Sequence, residues 1–264
     1  MEVTTAMHDV FPGVFHLEDR MGVHMTLLTG QNSAVLFDTG YGIDDVAAMV
    51  REITPLPVTV ILSHAHHDHA LGCRWFQEVF LHPAELPVYR TYTGDFWRKS
   101  VLANAAGKGI SVSEETFLSS PAAKPVVLEK TAFDLGGMSV LLQHSPGHTP
   151  GSMTALIPEH RLLLTGDDWN PVTWCFFPEA LPVQSLLSSL RAVLSLPFDS
   201  VLCPHSGALF HRHDLESFLD SITEDALKNA VPTDLGGRFG VDARMVETPD
   251  GRQLHFDYLK AFPH

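Results

Sequence analysis

The apolar positions of the first sixty residues fall into short unbroken runs rather than helical stripes. Met25–Thr29 and Ser33–Phe37 ("SAVLF") are β-capable, and the "GQN" between them is a hairpin signal. "DTGYG" at 38–42 ends the second run, after which Ile43, Val46, Ala47 and Val50 recur at helical spacing and predict a short helix over 43–52. "VTVIL" at 58–62 predicts a buried strand that runs directly into Ser63 and His64. Residues 73–120 show no clear period: Trp75, Phe76, Phe80, Tyr89, Tyr92, Phe96 and Trp97 are scattered among prolines and glycines. The strand pattern returns in "MSVLLQH" (138–144), "MTALI" (153–157) and "RLLLT" (161–165). Val183, Leu186, Leu187, Leu190, Val193 and Leu194 predict an amphipathic helix, and "SVLC" (200–203) a short strand. Leu215, Phe218, Leu219, Ile222 and Ala226 predict one further helix, and "RMVETPDGRQLHFDYL" a hairpin turning at Asp250 and Gly251. No repeat, low-complexity tract or linker interrupts the pattern, so a single domain is expected over residues 1–264.

Composition narrows the function classes. With 45% hydrophobic and 18% charged residues, the chain has the make-up of a globular protein with a sizeable core. No apolar run is long enough to predict a transmembrane helix, so no membrane partner is expected. The stretch "MEVTTAMHDVFPGVF" has neither the basic start nor the apolar run of a secretory signal. The three cysteines, Cys73, Cys175 and Cys203, suggest no disulfide framework, and a cytoplasmic setting is expected. A formal net charge of −14 repels phosphate backbones, which argues against nucleic acid as a partner and for a small-molecule substrate. Oligomeric state is not legible.

The chemistry concentrates in "SHAHHDHALG" at 63–72, where four histidines and an aspartate occupy positions 64 to 69. Side chains at i and i+2 of an extended backbone point the same way, so His64 and His66 can reach one cation together while His67 points away. A turn at that point brings Asp68 and His69 round toward a second position. Imidazole and carboxylate suit zinc, but zinc wants four ligands, so more must come from elsewhere. Three stretches supply them: "SPGHTPGS" with His148, "LLLTGDDW" with Asp167 and Asp168, and "LCPHSG" with His205. Each is an apolar strand, a small breaker residue and then a ligand-type side chain, the placement in which a rigid scaffold positions functional groups.

His64-x-His66-x-Asp68-His69, followed by His148 in "GHTPGS", Asp167 in "TGD" and His205 in "PHSG", resembles the metallo-β-lactamase superfamily. "VLFDTGYG" at 35–42 is similar to that family's first strand and turn, and the likeness runs from about residue 25 to 210 in the family order. The resemblance implies an α+β fold, a four-layered αβ/βα sandwich of two mixed β-sheets with helices on the outer faces. It implies two divalent metal ions per chain, zinc favoured and iron or manganese admissible. His64, His66 and His148 would hold one metal, Asp68, His69 and His205 the other, and Asp167 would bridge them. Asp38 would support the site, and Asp68 would act in catalysis by orienting the nucleophile or passing a proton to the leaving group. Asp168, directly after the expected bridge, is expected to project away, capping a turn or meeting solvent.

The implied activity is hydrolysis of an ester, thioester, lactone or related bond by a hydroxide bridging the two metals. Two other classes stay open: a thiol or persulfide dioxygenase using a single iron, and a metal-binding scaffold without catalysis. In the superfamily the segments after the first motif and after the bridging aspartate shape the pocket. Here they carry Trp75, Trp97, Trp169, Trp174, Phe176 and Phe177, each of which either lines an apolar pocket or packs beneath a loop.

Overall fold

The computed structural model describes residues 7–263, so the first six residues of the stretch read for a secretory signal lie outside them. The chain divides into two compact units, residues 1–141 and 142–264. The first unit holds strands β1 (Met7–Phe11), β2 (Val14–Glu18), β3 (His24–Thr29), β4 (Ala34–Phe37), β5 (Val58–Ile61), β6 (Glu78–Leu81) and β7 (Lys124–Val127). These form a sheet in sequence order, antiparallel from β1 to β4 and parallel from β4 to β7. All four residues of β4 are buried, as expected of a central strand covered on both faces.

The expected helix over 43–52 is Val46–Ile53, started by Asp45, whose side chain accepts from the Ala48 N–H. Residues 73–120, unreadable by periodicity, contain helices at Leu86–Tyr92, Asp95–Gly107 and Glu114–Ser119. In Asp95–Gly107 the buried positions are Trp97, Arg98, Val101 and Ala105, a helical stripe that a buried arginine and short alanines hide from a hydropathy reading. An antiparallel hairpin, β8 (Ala132–Asp134) and β9 (Ser139–His144), leads the chain into the second unit.

The second unit holds β10 (Met153–Ile157), β11 (Leu162–Leu164), β12 (Val172–Cys175), β13 (Ser200–Cys203), β14 (Ser206–His211), β15 (Val231–Pro232), β16 (Ala243–Glu247) and β17 (Gln253–Asp257). Four strands run in the order β14-β13-β11-β10, and a separate sheet runs β12-β17-β16-β15. β16 and β17 are the expected hairpin, pairing antiparallel from Glu247 and Gln253 outward, and β12 lies parallel to β17. The amphipathic helix Val183–Val193 buries Leu186, Leu187, Leu190 and Val193 against Phe198, Phe218 and Phe256. The single helix expected around 215–226 is two, Arg212–Ser221 and Glu224–Lys228. Thr223 caps the second by accepting from the Ala226 N–H, so a start signal outweighs the continuing apolar period. Among the described residues no helix is long and apolar enough to cross a membrane.

One buried carboxylate holds the turn that follows β4. Asp19 accepts from the Met21 and Val23 N–H groups through Oδ1, at 2.9 and 3.1 Å, and from the Tyr41 N–H through Oδ2 at 2.9 Å. Gly40 lies at φ +70°, where an added Cβ would stand 2.7 Å from that Oδ2. Burial pushes the Asp19 carboxyl up from 3.8 to about 6, while the three N–H donors pull it the other way. A carboxyl raised above its unfolded value favours the fold most below pH 3.8 and loses that contribution as pH rises through about 6. By neutral pH the ionised form costs on the order of 3 kcal/mol. The stability difference between the wild type and Asp19→Asn is therefore expected to change between pH 4.5 and pH 7 by about 2 kcal/mol, read from urea midpoints. A difference that stays constant across this range would remove the assignment.

Candidate metal centre

In the first unit the motif follows from the end of β5. The chain leaves the strand at Leu62, passes Ser63 and His64 in a loop, stays extended at His66 (φ −65°, ψ 156°) and coils into the short helix His67–Ala70. His64, His66 and His69 are buried and Asp68 half-buried. His64 and His66 each offer a ligand atom within 4.8 Å of the other, and so do Asp68 and His69. The helix puts His67 elsewhere. Its ring lies 4.6 Å from Trp97 and meets Tyr41 edge-on at 5.5 Å, with its Nδ1 3.5 Å from Asp68 Oδ1.

Asp38 organises this half. It is almost fully buried and sits at φ +67°, in the left-handed region that non-glycine residues seldom adopt. Its Oδ1 accepts from the Ser63 N–H and its Oδ2 from the Ser63 hydroxyl, both at 2.7 Å, and Oδ2 also lies 3.0 Å from His69 Nδ1. A carboxylate oxygen accepts, so the His69 proton resides on Nδ1 and its Nε2 carries the lone pair. The Ser63 hydroxyl hydrogen is committed to Asp38. Its oxygen, 3.0 Å from His64 Nδ1, therefore accepts there, and His64 too carries its lone pair on Nε2. One carboxylate thus sets the tautomer of two histidines, one directly and one through a serine.

The turn and the motif interlock. The His69 carbonyl accepts from the Thr39 N–H and hydroxyl at 2.9 and 2.6 Å. At Gly72 an added Cβ would stand 1.8 Å from the Thr39 oxygen, so no other residue fits. Buried Glu85 takes the Ala65 N–H at 2.9 Å. Ser63, Thr39 and Glu85 escape the sequence reading. Ser63 could have been suspected from its place before the motif, but nothing near Glu85 announces a role.

In the second unit His148 is buried and its Nδ1 donates to the Trp174 carbonyl at 2.5 Å, which again leaves the lone pair on Nε2. That Nε2 faces Asp167 Oδ2 at 3.7 Å, and His205 Nε2 lies 3.1 Å from the same oxygen. Asn170, buried between them, donates to Asp167 Oδ1 at 3.2 Å and accepts from the His205 N–H at 3.4 Å. One carboxylate oxygen therefore meets both histidines. His69 repeats the arrangement in the first unit, with its Nε2 3.7 Å from Asp68 Oδ2. A lone pair aimed at a carboxylate oxygen repels it unless a positive charge lies between, which is the setting a divalent cation relieves.

Asp168 departs from expectation. It is 1% exposed, and its Oδ2 accepts from the Ser145 hydroxyl, so it points inward rather than to solvent. Of the six aromatic residues that either line a pocket or pack beneath a loop, three are buried: Trp97, Trp169 and Phe176. Trp169 is fully buried and meets Phe210 and Phe218 edge-on, and Phe176 is 1% exposed. Trp75 is half-buried beneath the Arg74 guanidinium, and Trp97 is buried between Tyr92 and His67. Trp174 and Phe177 keep exposed surface. Cys73, Cys175 and Cys203 are free and buried. Burial pushes the Cys175 thiol up to about 12 and raises that of Cys203.

Residues 19–167 match the family model of the metallo-beta-lactamase superfamily. An acyl-coenzyme A thioesterase of Gallus gallus is 23% identical over 61% of this chain and 66% of its own length. A hydroxyacylglutathione hydrolase of Bartonella tribocorum is 27% identical over 67% of this chain and 65% of its own length. The chain thus spans just under two thirds of these relatives. A metallo-beta-lactamase family protein from Thermus thermophilus superposes with a TM-score of 0.60 at 20% identity, covering 83% of this chain and 82% of that one.

Proposed function

We propose that this chain, which belongs to the metallo-β-lactamase superfamily and has its fold, is a metal-dependent hydrolase of a small ester or thioester. In this reading the two units make one functional domain, and the family match, which runs from residue 19 to residue 167 across their boundary, supports that. His64, His66 and His148 form one ligand set and Asp68, His69 and His205 the other, with Asp167 shared. The observation that carries the reading is the orientation of His64, His69 and His148. In each, Nδ1 donates to a neighbouring acceptor, so each presents Nε2 as a ligand. Asp167 suits the shared place because one of its oxygens faces both His148 and His205, which belong to different sets.

Divalent cations, when bound there, acidify a water and polarise a carbonyl. The protein's own part is positional. Asp38 and the Trp174 carbonyl hold the imidazoles, and Asn170 keeps Asp167 and His205 together. Asp68, whose carboxylate lies beside His69, takes the attacking water's proton and delivers it to the departing alcohol or thiol. A thioester is favoured within the class because the relatives include an enzyme named as a thioesterase.

His148→Ala is the direct test. It is expected to lower bound divalent metal by about one equivalent and cut turnover of an acyl thioester at least ~100-fold. Elemental analysis and a thiol-release assay read both. Undiminished metal and turnover in the variant would end this reading, as would a single iron with oxygen consumption in the wild type.

A further inference from the structure

The hydrolase reading leaves unused a run of aromatic rings that begins at His148. Phe177 meets the His148 imidazole edge-on, with centroids 5.7 Å apart. Trp174, 38% exposed, lies 6.1 Å from Phe177, and Phe239 lies 5.3 Å from Phe177 on the next side. Single exposed aromatics are ordinary on protein surfaces, but adjoining, partly exposed rings ending on one buried polar group are how apolar ligand sites are built. We infer that Phe239 is a specificity-determining residue that closes, with Phe177 and Trp174, a wall receiving the apolar acyl or aryl part of the substrate. The inference rests on the reading of His148 as part of the reaction centre.

The two sides of this wall are held differently. Phe177 is fixed, because the Lys260 ammonium donates to the carbonyls of Phe177, Pro178 and Ala180 at 3.0, 2.9 and 2.8 Å. Phe239 rides on Asp234–Phe239, part of the run "DLGGRFG", in which the chain turns on glycines. Gly236 is wedged, since an added Cβ would stand 2.5 Å from the Val241 carbonyl oxygen. Gly237 and Gly240 have open space around them, and Gly240 sits at φ +68°. The Phe239 ring itself lies 4.7 Å under the Arg238 guanidinium and 6.3 Å from buried Phe176, so its outer edge is what remains to meet an apolar group. Phe239 lies far along the chain from every metal-ligand motif, which is why sequence order did not associate it with the site.

A graded series of acyl thioesters, acetyl, hexanoyl, decanoyl and benzoyl, tests this in the metal-loaded enzyme. Phe239→Ala is expected to raise KM for the decanoyl and benzoyl members about 5–10-fold, leave acetyl unchanged and alter kcat less than about 2-fold. Phe239→Leu should recover part of the loss, and metal content should stay at the wild-type value in both. A second readout needs no metal and no turnover: octanamide should change the tryptophan fluorescence of the metal-stripped wild type, and do so several-fold more weakly in Phe239→Ala. Trp174→Phe should abolish the response. If KM rises equally along the whole series, or octanamide binds wild type and Phe239→Ala alike, Phe239 has no such role. A protein that hydrolyses none of these thioesters nor the matching ethyl esters would overturn the hydrolase reading, while the octanamide titration would still decide the wall.

Discussion

Asp167→Ala is expected to lose most bound divalent metal and to lower kcat/KM by roughly 10²–10³-fold, about 3–4 kcal/mol of transition-state stabilisation. Its neighbour behaves oppositely. Asp167 is only partly buried and directs one oxygen at both His148 and His205, so its removal leaves those imidazoles without the carboxylate that faces them. Asp168 is sunk in the interior, where it accepts from the Ser145 hydroxyl and, through its own N–H, donates to the Thr165 carbonyl at 3.3 Å. Asp168→Ala strands a buried hydroxyl, which costs about 1–3 kcal/mol of folding stability. Metal content should persist in that variant. Elemental analysis, thermal unfolding and turnover on the two proteins side by side read the contrast. A metal-depleted Asp168→Ala beside a metal-replete Asp167→Ala would reverse the two roles.

Asp38→Ala should be damaging in both stability and metal binding. It removes the acceptor for three buried donors, the Ser63 N–H, the Ser63 hydroxyl and His69 Nδ1–H. Leaving them unsatisfied costs roughly 3–5 kcal/mol in all. His64 and His69 also lose the bonds that fix their protons on Nδ1, so affinity for divalent metal should fall about 10–100-fold. Asp38→Gly separates the two contributions of this residue, because glycine accepts φ +67° readily but offers no carboxylate. If the glycine variant binds metal as tightly as the wild type in a chelator competition, the carboxylate has no orienting role and only the backbone turn matters.

The parts of this molecule that could be read from its sequence are those written locally. β5 and its exit into His64 are legible because a buried strand is an apolar run and a ligand loop is the polar residues that end it. The hairpin β16–β17 is legible because Asp250 and Gly251 mark its turn. Pairings across long stretches are not. Asp168 turns inward because of Ser145, twenty-three residues earlier, and Ala65 is tied down by Glu85, twenty residues later. Trp169 follows a ligand motif yet packs on Phe218, forty-nine residues on, so adjacency to the site in sequence said little about where its ring would go. The same holds for tautomers. Histidines announce themselves as ligands, but the Trp174 carbonyl that chooses which nitrogen His148 presents is invisible in any one-dimensional pattern.

The carbonyl of Trp174 belongs to β12, an edge strand whose partner in its sheet is β17, the last strand of the described chain. During synthesis the residues that steady His64 and His69 leave the ribosome early, whereas β12 lacks its strand partner until Gln253–Asp257 has emerged. The carbonyl that holds the His148 ring therefore belongs to a strand whose sheet pairing is completed late. The bonds around His64 and His69 can thus form from one contiguous stretch of chain, whereas the bond to His148 leans on a strand pairing between residues about eighty positions apart.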